Sequence, residues 1–391
     1  MKPRSAIVIV IDRLRADYLG PYGNAWIETP AFNEFAAESV LIEHCIAESP
    51  DLQLAYRSYW QGIHATEPSS KQVDETLMTR SAAAGLKTKL VTDVEWLAKD
   101  QLAKSFEDCV LLRDTSSAFA PQPAASIEDT RLLHLFQEAA TEINQTTDPS
   151  LIWVHANAMN GPWSAPQRLR ERFVGEGDPD APLFIEPPHE TFGEQADPDK
   201  LLALSQAYAA EILVLDTCLD HLVSVIAGSQ LAATTDLTVC LTSPRGYALG
   251  EHGTVGAGMN YDEACLHAEV VNTPLIMRLP TGRQSAARRQ VLAQNSDLFT
   301  TLGNYLKFEN GALAHSHDLI HSKDCRPQAV SISGTSKVAR TIDWSWISHS
   351  GSLNESDLLY AKPDDRHEFN NVASLCGEVI ESLERNPFIG L

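Results

Sequence analysis

The sequence predicts an α/β fold: a large, mostly parallel sheet flanked by helices, with a small antiparallel sheet and a helix at the carboxyl end. Three observations carry this. Short β-branched runs recur and are apolar on both faces, as strands of a covered parallel sheet are. Stretches with apolar residues three and four apart separate those runs. Several runs end in a polar residue (Asp12, Asp93, His155, Ser243), at the strand ends where ligands of such sheets bind.

In order, AIVIVI (6–11) reads as the first strand. Thr29-Pro30 reads as a cap with proline at the first helical position, leading into AFNEFAAESV. TKLVT (88–92) and LIWVH (151–155) are the next strands, and the proline- and acid-rich stretch 175–200 is a long surface loop. From 201 to 227, Leu201, Leu204, Tyr208, Ile212, Leu215, Leu219, Leu222 and Ile226 step by three and four, with Gly228 as a stop. DLTVCLTS (236–243) and TPLIMRL (273–279) follow as strands. After about 310 the character changes. The runs QAVSIS, KVARTID, SWISHS and DLLYA predict a small antiparallel sheet, and a last helix from about Ala373 closes it. The expected units are therefore 1–310 and 311–391.

Composition bounds the function. The 391 residues are 43% hydrophobic and carry a net charge of −22, enough for a large core but without the basic patches that nucleic acid or anionic membrane demands. No apolar run approaches the ~20 residues that span a bilayer. The opening apolar stretch, Ala6 to Ile11, ends at Asp12 and is too short for a secretory core, so it reads as a strand rather than a leader. Seven cysteines are dispersed with no C-x-x-C spacing, which points to reduced, mostly buried thiols in the cytoplasm.

Several stretches together resemble the sulfatases of the alkaline-phosphatase superfamily. IVIVIDRLRADYLGPYGNAWIETPAFNEFAAESV is similar to the start of that family, YAAEILVLDTCLDHLV to its central helix, and LTSPRGYALGEHGTVGAG to its second metal-binding strand and loop. TPLIMRLP resembles the strand that follows, and LLYAKPDDRHEFNNVA (358–373) the carboxyl-terminal signature. The order is preserved over almost the whole chain. The resemblance implies sulfate- or phosphate-ester hydrolysis with a divalent cation on carboxylates and a formylglycine nucleophile from a C/S-x-P-x-R motif.

Residue by residue, the chain departs from that pattern. Asp12 matches the first aspartate, but its partner is Arg13. The later aspartate and its neighbour become Pro244 and Arg245. In SPDLQLAYRSYWQG the nucleophile position falls on Leu52, with Leu54 and Tyr56 on the motif's proline and arginine; a one-residue slip puts Gln53 and Arg57 there instead. The middle-strand histidine becomes Asn160 and the lysine after GEHG becomes Ala257, while His252 keeps its place.

Charge sign then decides the expectation. With Arg13 and Arg245 beside a lone Asp12, the pocket becomes net cationic and repels a dication. The expected arrangement is a guanidinium forked onto Asp12 where the metal would lie, with no metal cofactor. Arg13, Arg57 and Arg245 become candidates to hold a small anion. The reading is a sulfatase-like protein that has lost ligands and nucleophile and keeps a binding or assembly role, with a small anionic ligand or a protein as partner. The alternative is an ester hydrolase with a rearranged site, with Asp51 or Ser58 as nucleophile and Ca²⁺ or Mg²⁺ as cofactor.

Overall fold

The computed structural model describes residues 2–68, 75–112, 122–192, 196–257, 265–282, 284–308, 313, 315–322, 326–349 and 357–385. Its main sheet contains β1 (Arg4–Ile11), β2 (Val40–Ile46), β3 (Lys87–Thr92), β4 (Asp108–Leu111) and β5 (Ser150–Ala156). Short strands β6 (Glu190–Thr191), β8 (Ala248–Leu249) and β9 (Thr254–Gly256) pair with one another over the strand exits. Strands β7 (Asp236–Thr242), β10 (Asn272–Arg278) and β11 (Ala287–Gln294) complete the main sheet, in the order β11-β2-β10-β7-β1-β5-β3-β4. All its neighbours are parallel except β10, which runs antiparallel to both β2 and β7.

Central strand β1 explains the layering. Every side chain from Ala6 to Ile11 is fully buried, so alternate residues serve opposite cores. Ile7, Ile9 and Ile11 pack in the core of the long helix Pro198–Gly228 with Tyr208 and Leu215. Ala6, Val8 and Val10 pack in the other, with Tyr59 and Trp60 of the helix Leu52–Gln61 and with Trp153. The sheet is covered on both faces, as the doubly apolar runs predict.

A four-stranded antiparallel sheet, β12 (Ala329–Ser333), β13 (Ser336–Arg340), β14 (Trp344–His349) and β15 (Leu358–Ala361), lies near the carboxyl end. It docks through β12: Ser331 Oγ donates to Ala47 O (2.6 Å) and Ile332 N to Glu48 O (2.9 Å). The last described helix starts at Gly377, a few residues after the expected Ala373.

Two local expectations are corrected. Thr29 precedes its helix but its hydroxyl does not cap it; Oγ1 accepts from Gly20 N (2.9 Å). Asp216 on the long helix supplies the cap instead, accepting from Ala31 N (3.3 Å) and Phe32 N (3.0 Å). The cysteines are less buried than expected: Cys45, Cys218 and Cys240 are buried, Cys109 is exposed, and Cys325 lies outside the described residues. No described helix is long and apolar enough to cross a membrane.

Candidate functional site

Strand β1 ends at Ile11, and the next residue is pinned at the seam with β5: Asp12 N donates to Ala156 O (2.9 Å). Neighbouring β7 ends at Thr242 and turns through Ser243 and Pro244 to Arg245. Two contacts hold that turn. Ser243 Oγ accepts from Leu14 N (3.2 Å) and donates to Arg245 O (2.6 Å). Gly246 N donates to Val270 O (2.7 Å), and a Cβ at 246 would collide with the Glu269 carbonyl, so the close approach needs glycine.

The turn delivers a fork. Arg245 Nε donates to Asp12 Oδ1 (3.0 Å), Nη2 to Oδ2 (2.9 Å), and Nη1 to Pro50 O (2.8 Å). Asp12 has no solvent exposure and Arg245 little (0% and 15% of the side chain). Burial alone would push the Asp12 carboxyl up. The Arg245 guanidinium, aided by Arg13, overcomes that and holds it below its ordinary value. This planar bidentate geometry is what Arg, unlike Lys, makes with a carboxylate.

Arg13 adopts a left-handed backbone (φ 61°), and its carbonyl accepts from Tyr208 Oη (2.7 Å). Its guanidinium lies 5.3 Å from the centroid of the Tyr247 ring, within cation–π range. Both arginines line a cavity of about 730 Å³, with Leu52, Trp96, Ala257 and Ser333 on other walls. Leu52 opens the helix Leu52–Gln61, and Asp51 before it caps the first turn, accepting from Gln53 N (2.6 Å) and Leu54 N (3.3 Å).

Asp51 also lines the cavity, which changes the expected charge. Two guanidinium groups face two carboxylates, Asp12 and Asp51, so the site is balanced rather than net cationic. A helix N-terminus needs an acceptor, and the cap residue supplies it. Of the two arginines, Arg245 is committed to Asp12.

Several expected site residues are placed elsewhere. Arg57 does not reach Arg13 or Arg245; its Nη2 donates to Glu67 O (2.8 Å) and His64 O (3.1 Å), tying the loop after its helix. Asn160 sits in the turn after β5, its Nδ2 donating to Asn157 Oδ1 (3.1 Å), and does not line the cavity. Pro244 shapes the strand exit without lining the cavity. Ser58 is buried, donating to Glu48 Oε2 (2.6 Å), and is no nucleophile for this cavity. Tyr56, Tyr59 and Trp60 are core residues.

His252 bonds Glu269 Oε1 through Nδ1 (2.7 Å) and Glu368 O through Nε2 (3.0 Å). Burial opposes its charge, but Glu269 wins and raises its pKa. His252, His267 and Glu269 bring ligand atoms within 4.8 Å of one another. However, the imidazoles are stacked 3.7 Å apart and 6° from parallel, so no ion can lie in both ring planes.

The divalent cation implied by the resemblance also lacks a fitting donor set at Asp12. Hard cations take several oxygen ligands. Here both Asp12 oxygens are engaged by Arg245, and Pro244 offers no side-chain donor.

Further residues complete the site, of which the sequence marked only His155, as the polar end of its strand. His155, at the end of β5, bonds the Tyr56 hydroxyl through Nδ1, while its buried Nε2 has no hydrogen-bond partner among the described residues. Burial, against the pull of Asp12 and with the push of Arg245, lowers its pKa to about 4. His155 is thus expected to stay neutral until about pH 4, checked by an NMR titration of its ring. Unfolded histidine takes up its proton near 6.5, so this group costs stability as pH falls from there towards 4. Protonation near 6.5 in the folded protein would refute the burial argument. His189 accepts from Ala257 N through Nδ1 (3.1 Å), and Trp96, Ser333 and Gly334 form a wall.

Comparisons with known proteins bear on the fold. The family described as Sulfatase matches residues 4–307. The mouse (Mus musculus) protein iduronate 2-sulfatase is 21% identical over 413 residues, covering 84% of this chain and 68% of its own length. A phosphonate monoester hydrolase from Agrobacterium radiobacter superposes with a TM-score of 0.76 at 17% identity, covering 97% of this chain and 95% of its own. A protein solved with its substrate D-glucosamine-2-N,6-O-disulfate gives 0.76 at 14%, covering 100% and 97%. The two structural likenesses extend over both the main sheet and the carboxyl-terminal sheet, whereas the family match ends before the latter.

Proposed function

The chain belongs to the sulfatase family, and within it we propose a protein that has given up ester hydrolysis and holds a small anionic ligand. The observation that carries this reading is the Arg245–Asp12 fork, a fixed organic cation on the carboxylate to which the family resemblance assigns a metal. Hydrolysis of a sulfate, phosphate or phosphonate ester needs a nucleophile and charge focused on the ester oxygens. Leu52 at the nucleophile position supplies neither a hydroxyl nor a thiol.

Binding asks for less. Arg13 faces the cavity, and a sulfate, phosphate or carboxylate would pair with its guanidinium while an attached body lies along Trp96 and Leu52. A cytoplasmic site of action goes with this reading, supported by the dispersed cysteines. A rearranged hydrolase remains the competing reading because Asp51 lines the cavity; its carboxylate, however, is spent on capping.

Titration with 4-nitrophenyl sulfate separates the two. The expected result is binding without nitrophenol release, with or without Ca²⁺, Mg²⁺ or Mn²⁺, and weakening by about tenfold in Arg13→Gln. Elemental analysis of the same protein should find those metals well below one per chain. Turnover that is abolished by Asp12→Ala, or stoichiometric metal, overturns the proposal.

A further inference from the structure

A second cavity, of about 250 Å³, lies where the carboxyl-terminal sheet meets the main sheet. Its walls come from separate parts of the chain. Glu43 and His44 of β2, Asn272 at the start of β10 and Arg288 of β11 form one side; Arg340, Lys362, Arg366 and Glu368 form the other. In a chain carrying −22, this cavity gathers four cations against two carboxylates.

The pairing leaves two cations over. Lys362 Nζ lies 3.1 Å from Glu368 Oε1, and Arg288 Nη1 lies 3.5 Å from Glu43 Oε1. Arg340 donates through Nη1 to Thr341 O (2.6 Å) and Trp344 O (3.1 Å), and Arg366 through Nη2 to Tyr22 O (3.0 Å). Among the described residues neither has a carboxylate within ion-pair distance. Arg340 is the more exposed to the consequence: burial pushes its pKa down to about 10, and Glu368 and Asp343 act only from a distance. The same field tells on His44, whose pKa is lowered first by burial and then by Arg340.

A half-buried guanidinium whose nearest carboxylates lie beyond ion-pair distance is costly unless something supplies a closer counter-charge. The Nε and Nη2 edge of Arg340 makes no hydrogen bond to a described residue, leaving free the fork that matches an oxyanion bidentately. With a water's share of liquid volume about 30 Å³, the cavity holds a phosphate and a few waters, not a large ligand. We propose that this cavity is a second, separate anion site that takes a phosphate group, free or on a small monoester, between Arg340 and Arg366. It is independent of the Asp12–Arg245 cavity and of the function proposed there.

Calorimetric titration of the full chain with inorganic phosphate, and in parallel with glycerol 3-phosphate, tests this. Binding should persist in Arg13→Gln, and in that background weaken by about tenfold on adding Arg366→Gln and vanish on adding Arg340→Gln. Arg366 is exposed, so its substitution reports on the site even if Arg340→Gln folds poorly. Equal affinity for the two titrants identifies free phosphate as the occupant, and tighter binding of the ester identifies a monoester; both support the site. Binding lost in Arg13→Gln but kept in Arg340→Gln and Arg366→Gln overturns it while leaving the first cavity's reading intact, and no binding at millimolar phosphate overturns it as well.

Discussion

Arg245→Ala is expected to cost about 3–5 kcal/mol of folding stability at neutral pH, read from the shift of a urea or guanidinium unfolding curve. The magnitude follows from what stays behind. Asp12 is fully buried between β1 and β5, and with the fork removed both carboxylate oxygens lose their donors. Burial then acts on the carboxyl unopposed and raises its pKa, so the variant's native state takes up a proton that the wild type's does not. The sign of the pH dependence is fixed by this. In the wild type the folded Asp12 pKa is lowered, so its contribution is present above the unfolded value near 3.9 and is lost as pH falls through the folded value. The deficit of the variant is therefore largest at neutral pH and shrinks on acidification. A double substitution, Asp12→Leu with Arg245→Met, should recover most of the loss, since apolar replacement of a buried pair is often neutral or better. A loss below about 1 kcal/mol for Arg245→Ala would place the pair in the class of solvent-screened surface bridges and remove the basis for calling it a fixed substitute for a cation.

How much of this was legible in the sequence differs from residue to residue. The Arg245–Asp12 fork was, because two strand ends adjoining in a parallel sheet bring their next residues together and opposite charges there must pair. The central strands and the long helix were legible for the same reason: an apolar run such as Ala6 to Ile11 has few other ways to be buried. Arg57 was not. It lies five residues past Leu52, about 140° round the helix at 100° per residue, and so points away from the face that Leu52 turns to the cavity. Strand β11 was hidden by its exposed, charged start, Ala287 to Gln290, which reads as a surface segment. The Ser333–Gly334 wall depends on how β12 docks beside Ala47 and Glu48, nearly three hundred residues away in sequence, and no local pattern encodes that. Asp51 is the instructive case. Its capping role is a local rule that the sequence does carry, yet its charge is what brings the cavity back to balance.

Undoing the charge reversal should restore a cation site. In the triple variant Arg13→Asp, Pro244→Asp, Arg245→Asn, Ca²⁺ is expected to bind with one equivalent per chain by calorimetry, whereas the wild type binds none at this place. The substitutions remove two positive charges and add two negative ones around Asp12. At about 4 Å and an effective dielectric of about 20, each reversed interaction with the ion is worth roughly 4 kcal/mol or more before desolvation is subtracted. They also free both Asp12 oxygens and bring the oxygen donors near the number that a hard cation takes, with water making up the rest. The backbone is ready for one of them: position 13 is left-handed (φ 61°), a conformation in which aspartate is several-fold enriched and long side chains are not. Without the ion the clustered carboxylates repel, so the variant should be less stable than the wild type and gain stability as Ca²⁺ is added. Adding Asp12→Asn to the three should abolish the binding. A folded triple variant that binds Ca²⁺ no better than the wild type would show that the strand ends of β1 and β7 do not form the centre implied by the family pattern. Ester turnover should not return in any of these variants, because Leu52 still occupies the nucleophile's position.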